Sequence, residues 1–111
     1  MPGTSSNLTI PSLQALASAG QIVISDHAYD KMLERGIVPD DVVTGIDGAV
    51  SLEDYPDAHF GPSLLALQRE SNGQPIHVVW GVPTRSGSPA VVVTVYRPDP
   101  ALWRADFRSR K

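Results

Sequence analysis

Apolar residues recur every three to four positions in the first half of the chain and every second position later on. That switch predicts helices followed by strands. Leu13, Leu16 and Ala17 follow Thr9-Ile10-Pro11; Pro11 suits a first helical turn and Gly20 a stop. Ile22-Val23-Ile24 reads as a brief extended link. Ser25 is the expected N-cap of a second helix running to about Arg35 and ending at Gly36, and Asp26 places a carboxylate where the helix dipole favours it. Ala28 and Met32 are its core positions, with Tyr29 and Leu33 next in line. Pro39-Asp40-Asp41 opens a third short helix whose apolar stripe is Val42, Val43 and Ile46, and Asp47-Gly48 closes it.

Four strands are expected after that: Ala49–Asp54 at an edge, Ser63–Glu70, Pro75–Val82 and a β-branched central run, Ala90–Tyr96. Tyr55–Pro62 is a loop, Asn72-Gly73 and Arg85-Ser86-Gly87-Ser88 are turns, and Pro100–Arg110 reads as a short basic C-terminal helix or tail. The plan is α+β: two to three short helices on one face of a 3–4-stranded antiparallel sheet, in one domain over 9–111 after a flexible lead-in, 1–8. Pairing Glu70 with Pro75 and Pro83 with Ala90 sets Gln68 opposite His77, His77 opposite Tyr96 and Trp80 opposite Val93. One face then carries Leu65, Leu67, Ile76, Val78, Trp80, Val91, Val93 and Val95 under the helices. The other gathers Gln68, His77, Thr94 and Tyr96 with Ala66, Val79 and Gly81.

Composition narrows the chemistry. The 111 residues contain no cysteine, which removes disulfides, thiol nucleophiles and zinc–thiolate sites. No apolar run approaches the ~20 residues of a membrane span. Met1–Thr9 has no Lys or Arg and no apolar stretch, so no secretory signal is expected and a soluble cytoplasmic protein is the default. Residues 1–60 hold two bases and nine acids, a charge of −7, whereas 61–111 hold seven bases and three acids, +4. The pI of 5.4 is low for binding nucleic acid by charge alone, but the asymmetry allows a basic site in the second half and a different partner for the acidic first half.

His77 and Tyr96 lead the candidates for chemistry. An imidazole titrates near neutrality, and a phenol donates a proton or holds an oxyanion. The plainer reading is a polar cross-strand pair on a half-solvated sheet. His27, two residues after the Ser25 cap, is either an acid/base or anion-docking group or simply a capping-region histidine. His59 is assigned no role. Lys31 and Arg35 on the second helix, with Arg69, Arg97, Arg104, Arg108, Arg110 and Lys111, are candidate phosphate contacts or a solvated basic surface. Trp80 reads as core, and Trp103 as packing for the last helix.

Glycine-rich nucleotide loops, the HExxH metal motif and the GxSxG nucleophile elbow are absent, and three dispersed histidines give no metal-ligand spacing. The acids sit on helices and loops rather than as an inward pair for glycoside hydrolysis. What remains is acid–base work on a phosphodiester, without metal or other cofactor, by attack of a ribose 2′-hydroxyl.

Ser25-Asp26-His27-Ala28, Lys31-Met32, Glu34-Arg35-Gly36-Ile37, Pro75-Ile76-His77-Val78-Val79 and Val93-Thr94-Val95-Tyr96-Arg97-Pro98-Asp99, followed by Trp103 and Phe107-Arg108, form an ordered series. In it the chain resembles a bacterial family of small domains of unknown function with toxin–antitoxin associations, similar to RelE- and MqsR-type ribonuclease toxins. The resemblance spans about Gly20 to Arg110. It implies a RelE-like fold, RNA cleavage without metal, and a co-encoded antitoxin, often with an MqsA-like zinc finger. His27, Arg35, His77 and Tyr96 are the motif residues carried over; Lys31 stands where the family often shows Arg. The expectation is a toxin-like endoribonuclease (mRNA interferase). His77 is its acid or base, Tyr96 the proton partner or phosphate ligand, and His27 a second acid/base. Arg35 and Arg97 stabilise charge, and Lys31, Arg104 and Arg108 contact RNA. A noncatalytic protein-interaction module, or an inactive relative of the same fold, is the alternative.

Overall fold

The computed structural model describes residues 8–111, so the expected lead-in falls outside the described residues except for Leu8, which packs against the core. The first helix, α1 (Ile10–Ser18), starts with a reciprocal cap between Thr9 and Ser12. Strand β1 (Ile22–Ile24) leads into α2 (Asp26–Arg35), where the Ser25 hydroxyl oxygen accepts from the Ala28 N–H and Gly36 ends the helix at φ 69°. The third helix, α3 (Pro39–Thr44), runs into a 3-10 turn at Gly45–Gly48. Strands β2 (Val50–Tyr55), β3 (Ser63–Arg69), β4 (Pro75–Gly81) and β5 (Ala90–Tyr96) follow. Among the described residues no helix is long and apolar enough to cross a membrane.

The fold is α+β, but the sheet is mixed and has five strands, in the order β1-β5-β4-β3-β2. The added strand is the link Ile22–Ile24, which pairs in parallel with β5. Three residues carry too little alternation to announce a strand; the edge of β5 recruits them. Leu13, Ala28, Met32, Val42 and Ile46 close over Leu64, Ala66, Ile76, Val78, Trp80, Val92 and Val95 to form the core. Tyr29 and Leu33, expected near the core, are instead 48% and 65% exposed, because Ala28 and Met32 alone hold the buried face of α2.

The register differs by one residue on β3: Leu67, not Gln68, lies opposite His77. The β3–β4 hairpin closes through the Glu70 N–H donating to the Gln74 carbonyl, which leaves a three-residue loop, with Gly73 at φ 88°. That odd count turns every β3 side chain to the opposite face. Leu65 and Leu67 therefore leave the helix side, and Ala66 and Gln68 join it. On β5 a bulge opposite Val79 and Trp80 sets Trp80 against Val92 rather than Val93. The Val93 side chain consequently approaches Gly81 on the face away from the helices.

Residues after β5 form no helix. Asp99 and Asp106 carboxylates accept from the backbone N–H groups of Ala101 and Arg108, local turns that compete with helix formation. Trp103 and Arg110 pair as an isolated antiparallel bridge, and the segment folds back over the sheet face that the helices leave free.

Candidate functional site

The pairing of β4 with β5 sets His77 directly opposite Tyr96. Their rings lie edge to face, with centroids 5.3 Å apart. His77 is fully buried, and both of its ring nitrogens are engaged: Nδ1 lies 3.2 Å from the Tyr96 hydroxyl and Nε2 lies 2.8 Å from the Phe107 carbonyl oxygen. A carbonyl only accepts, so this network assigns the proton to Nε2 and leaves Nδ1 to accept from the Tyr96 O–H. Trp103, itself 3% exposed, stands perpendicular to the imidazole at 4.4 Å. The imidazole is thus not on a half-solvated face: the C-terminal segment roofs it, while the Tyr96 side remains half-buried.

Glu53 and Tyr55 share this face from β2, through their pairing with Leu65 and Ser63. The Tyr55 hydroxyl donates to the Glu53 carboxylate at 2.6 Å, and Arg110 Nε is 3.5 Å from the same carboxylate. The Arg110 guanidinium also lies 4.6 Å from the Trp103 ring centroid, a cation–π contact. These contacts tune one another. Burial holds the His77 imidazole below its ordinary range, opposed by the Phe107 carbonyl and Glu53. Burial raises the Tyr96 phenol, while Arg110 pulls it down. The Tyr55 hydrogen bond, ahead of Arg110, lowers Glu53, and burial with the Glu53 contact pushes Tyr55 up to about 12.

The other sequence candidates are dispersed around this centre. His27 is exposed at the start of α2; its Nε2 lies 3.2 Å from Thr94 Oγ1, two residues before Tyr96 on β5. Ser25 fixes that approach, because its hydroxyl donates to the Val93 carbonyl. Arg97 serves elsewhere: its guanidinium donates to the buried Glu70 carboxylate at 3.1 and 3.3 Å and to the Arg35 carbonyl. The Arg35 side chain is exposed, and Lys31 pairs with Glu34 at 3.5 Å. Arg104 and Arg108 are exposed on the C-terminal segment, and His59 is exposed in its loop.

Glu53, Tyr55, Trp103 and the Phe107 carbonyl were not among the expected site residues, and Arg110, a candidate phosphate contact, is held by Glu53 and Trp103 instead. The spacing of Glu53 and Tyr55, two apart on one strand, was the available signal for the first two. No group of three His, Asp or Glu side chains that could hold a metal ion occurs among the described residues.

No curated protein and no solved structure matches the chain. A family model does, over residues 24–97. The matched stretch carries His27, His77 and Tyr96, and the residues that roof His77 follow it. Since that match covers well over half of the chain, the protein belongs to the family described as Domain of unknown function (DUF4258).

Proposed function

We propose that this protein is a metal-independent endoribonuclease of the toxin type, working with a cognate antitoxin and cutting RNA by attack of the ribose 2′-hydroxyl on the adjacent phosphodiester. The observation that carries this reading is the chain of contacts from Tyr96 Oη through His77 to the Phe107 carbonyl. A hydroxyl backed by an imidazole that a third group orients is the arrangement used to activate weak acids and bases. Tyr96 takes the 2′-hydroxyl proton as its own passes to His77 Nδ1. The 2′-oxygen bonds to phosphorus, the P–O5′ bond breaks, and the leaving oxygen takes a proton from His27. The products are a 2′,3′-cyclic phosphate and a free 5′-hydroxyl. His77 returns its proton through Tyr96 to solvent, and His27 regains one. Arg104 and Arg108, exposed on the C-terminal segment, and Lys31 and Arg35 on α2 are the cations this reading assigns to the RNA phosphates.

Purified protein incubated with RNA in EDTA tests the reading. Tyr96→Phe keeps the ring and removes the hydroxyl, so cleavage should fall by about 10²-fold or more with the fold intact by circular dichroism. Induced expression should arrest growth, and the same substitution should relieve the arrest. Equal cleavage by both proteins would mean a contaminating nuclease and sink the reading.

A partner-binding role has one observation of its own. Tyr29 and Leu33, exposed one turn apart on α2, lie beside the acidic row Asp26, Asp30 and Glu34. If α2 is the antitoxin surface, Leu33→Asp weakens the complex in a pull-down and leaves RNA cleavage unchanged.

A further inference from the structure

Phe107 is the only non-glycine residue with positive φ among the described residues, at 58°. A bulky side chain rarely takes this conformation, and such an outlier persists only where its surroundings hold it. The surroundings are specific. The Phe107 N–H donates to the Arg104 carbonyl, and the Arg104 N–H donates to the Ser109 carbonyl, closing a turn. The same left-handed residue presents its carbonyl to His77 Nε2 at 2.8 Å. The turn is fastened to the sheet at one more place, by Arg110, which reaches Glu53 while lying over Trp103.

We propose that the turn Arg104–Ser109 is a positioning device: the left-handed backbone at Phe107, fastened through Arg110 and Glu53, dictates which His77 nitrogen carries the proton, and so leaves the other free to accept from Tyr96. Because the imidazole lies out of contact with water in the folded protein, no solvent molecule competes with the Phe107 carbonyl for the Nε2 proton. The tautomer then follows the backbone of one turn. The consequence for RNA cleavage rests on the reading given under Proposed function. The tautomer itself does not.

Nitrogen-15 NMR of the full-length protein reads the tautomer directly. Wild type should show one protonated and one unprotonated His77 nitrogen, with Nε2 protonated. Phe107→Gly removes the ring but accepts the left-handed backbone, so it should keep that signature. Phe107→Pro fixes φ near −65° and misdirects the carbonyl, so the two tautomers should mix. Arg110→Glu, set against Glu53, should also mix them, and Arg110→Lys should retain the wild-type pattern. Modification by diethyl pyrocarbonate gives a second measure, with the exposed His27 and His59 as internal references: His77 should react in the Pro and Glu variants and resist in the others. An unchanged Nε2-protonated form in Phe107→Pro, or an Nδ1-protonated wild type, overturns the proposal. If RNA is cleaved, Phe107→Pro should lose about 10²-fold more activity than Phe107→Gly. Equal losses would overturn the link to catalysis. Absence of cleavage in every protein, with the tautomer pattern as described, would instead refute the nuclease reading.

Discussion

Removing His77 from water disfavours its charged form, and the Phe107 carbonyl and the Glu53 carboxylate offset only part of that cost. The unfolded chain takes up a proton near its ordinary value of 6.5, before the folded one does. As pH falls below 6.5 the unfolded state therefore binds more protons, and stability declines. Glu53 acts in the same direction lower on the scale. Its carboxylate sits below its ordinary 4.5, so its contribution is present above that value and is lost as pH falls through the folded one. The urea midpoint should drop between pH 7 and pH 5 and again toward pH 4; a flat profile from 7 to 5 would contradict the burial of a neutral imidazole. At this scale the sequence revealed part of the site. Alternation along two strands was enough to set His77 against Tyr96. The group on the other side of the imidazole is a backbone carbonyl, which every residue possesses, so no residue type announces it.

Helix ends were legible because their chemistry is local: Ser25 caps α2, Gly36 ends it, and Pro39 opens α3. Strand pairing was less so, because a one-residue difference in the loop after Glu70 exchanges the two faces of β3. Gln68 shows what the true register accomplishes. Facing the helices, it donates to the Val42 carbonyl at 2.8 Å and accepts from Trp80 Nε1 at 2.7 Å, joining α3, β3 and β4 in one buried contact. Gly45 lies close against it, and a Cβ there would meet Gln68 Nε2 at 2.8 Å. Gln68→Leu leaves the Trp80 N–H and the Val42 carbonyl without partners in the core, and should cost about 1–3 kcal/mol in urea denaturation. Gly45→Ala should destabilise for the related reason that it pushes the amide out of line. If either variant matches wild type, the amide is not what joins these elements.

Across the whole molecule the sheet is covered twice, by helices on one side and by the C-terminal segment over His77 on the other. The second cover was hidden because a basic stretch after two prolines read as a helix, whereas Asp99 and Asp106 direct it into turns. Arg97 joins distant parts: its guanidinium meets Glu70 in the β3–β4 hairpin and the carbonyl of Arg35 at the end of α2. Removing it strands a carboxylate whose side chain is 4% exposed. Arg97→Ala should therefore lower stability by about 2 kcal/mol, discounted for the partial exposure of the arginine, and leave the rate of any RNA cleavage per folded molecule unchanged. A rate loss without a stability loss would return Arg97 to the reacting centre. The parallel pairing of β1 with β5 carries one more consequence. Ile22 finds its neighbour only at Ala90, and Ser25 finds its acceptor only at Val93. During synthesis the ribosome releases the first strand long before its mate, so α2 waits without a platform, and contacts this far apart in sequence are slow to form. A nascent chain halted before Ala90 lacks β5 altogether, so His77 has no Tyr96 to pair with and His27 no Thr94 to approach until that strand emerges.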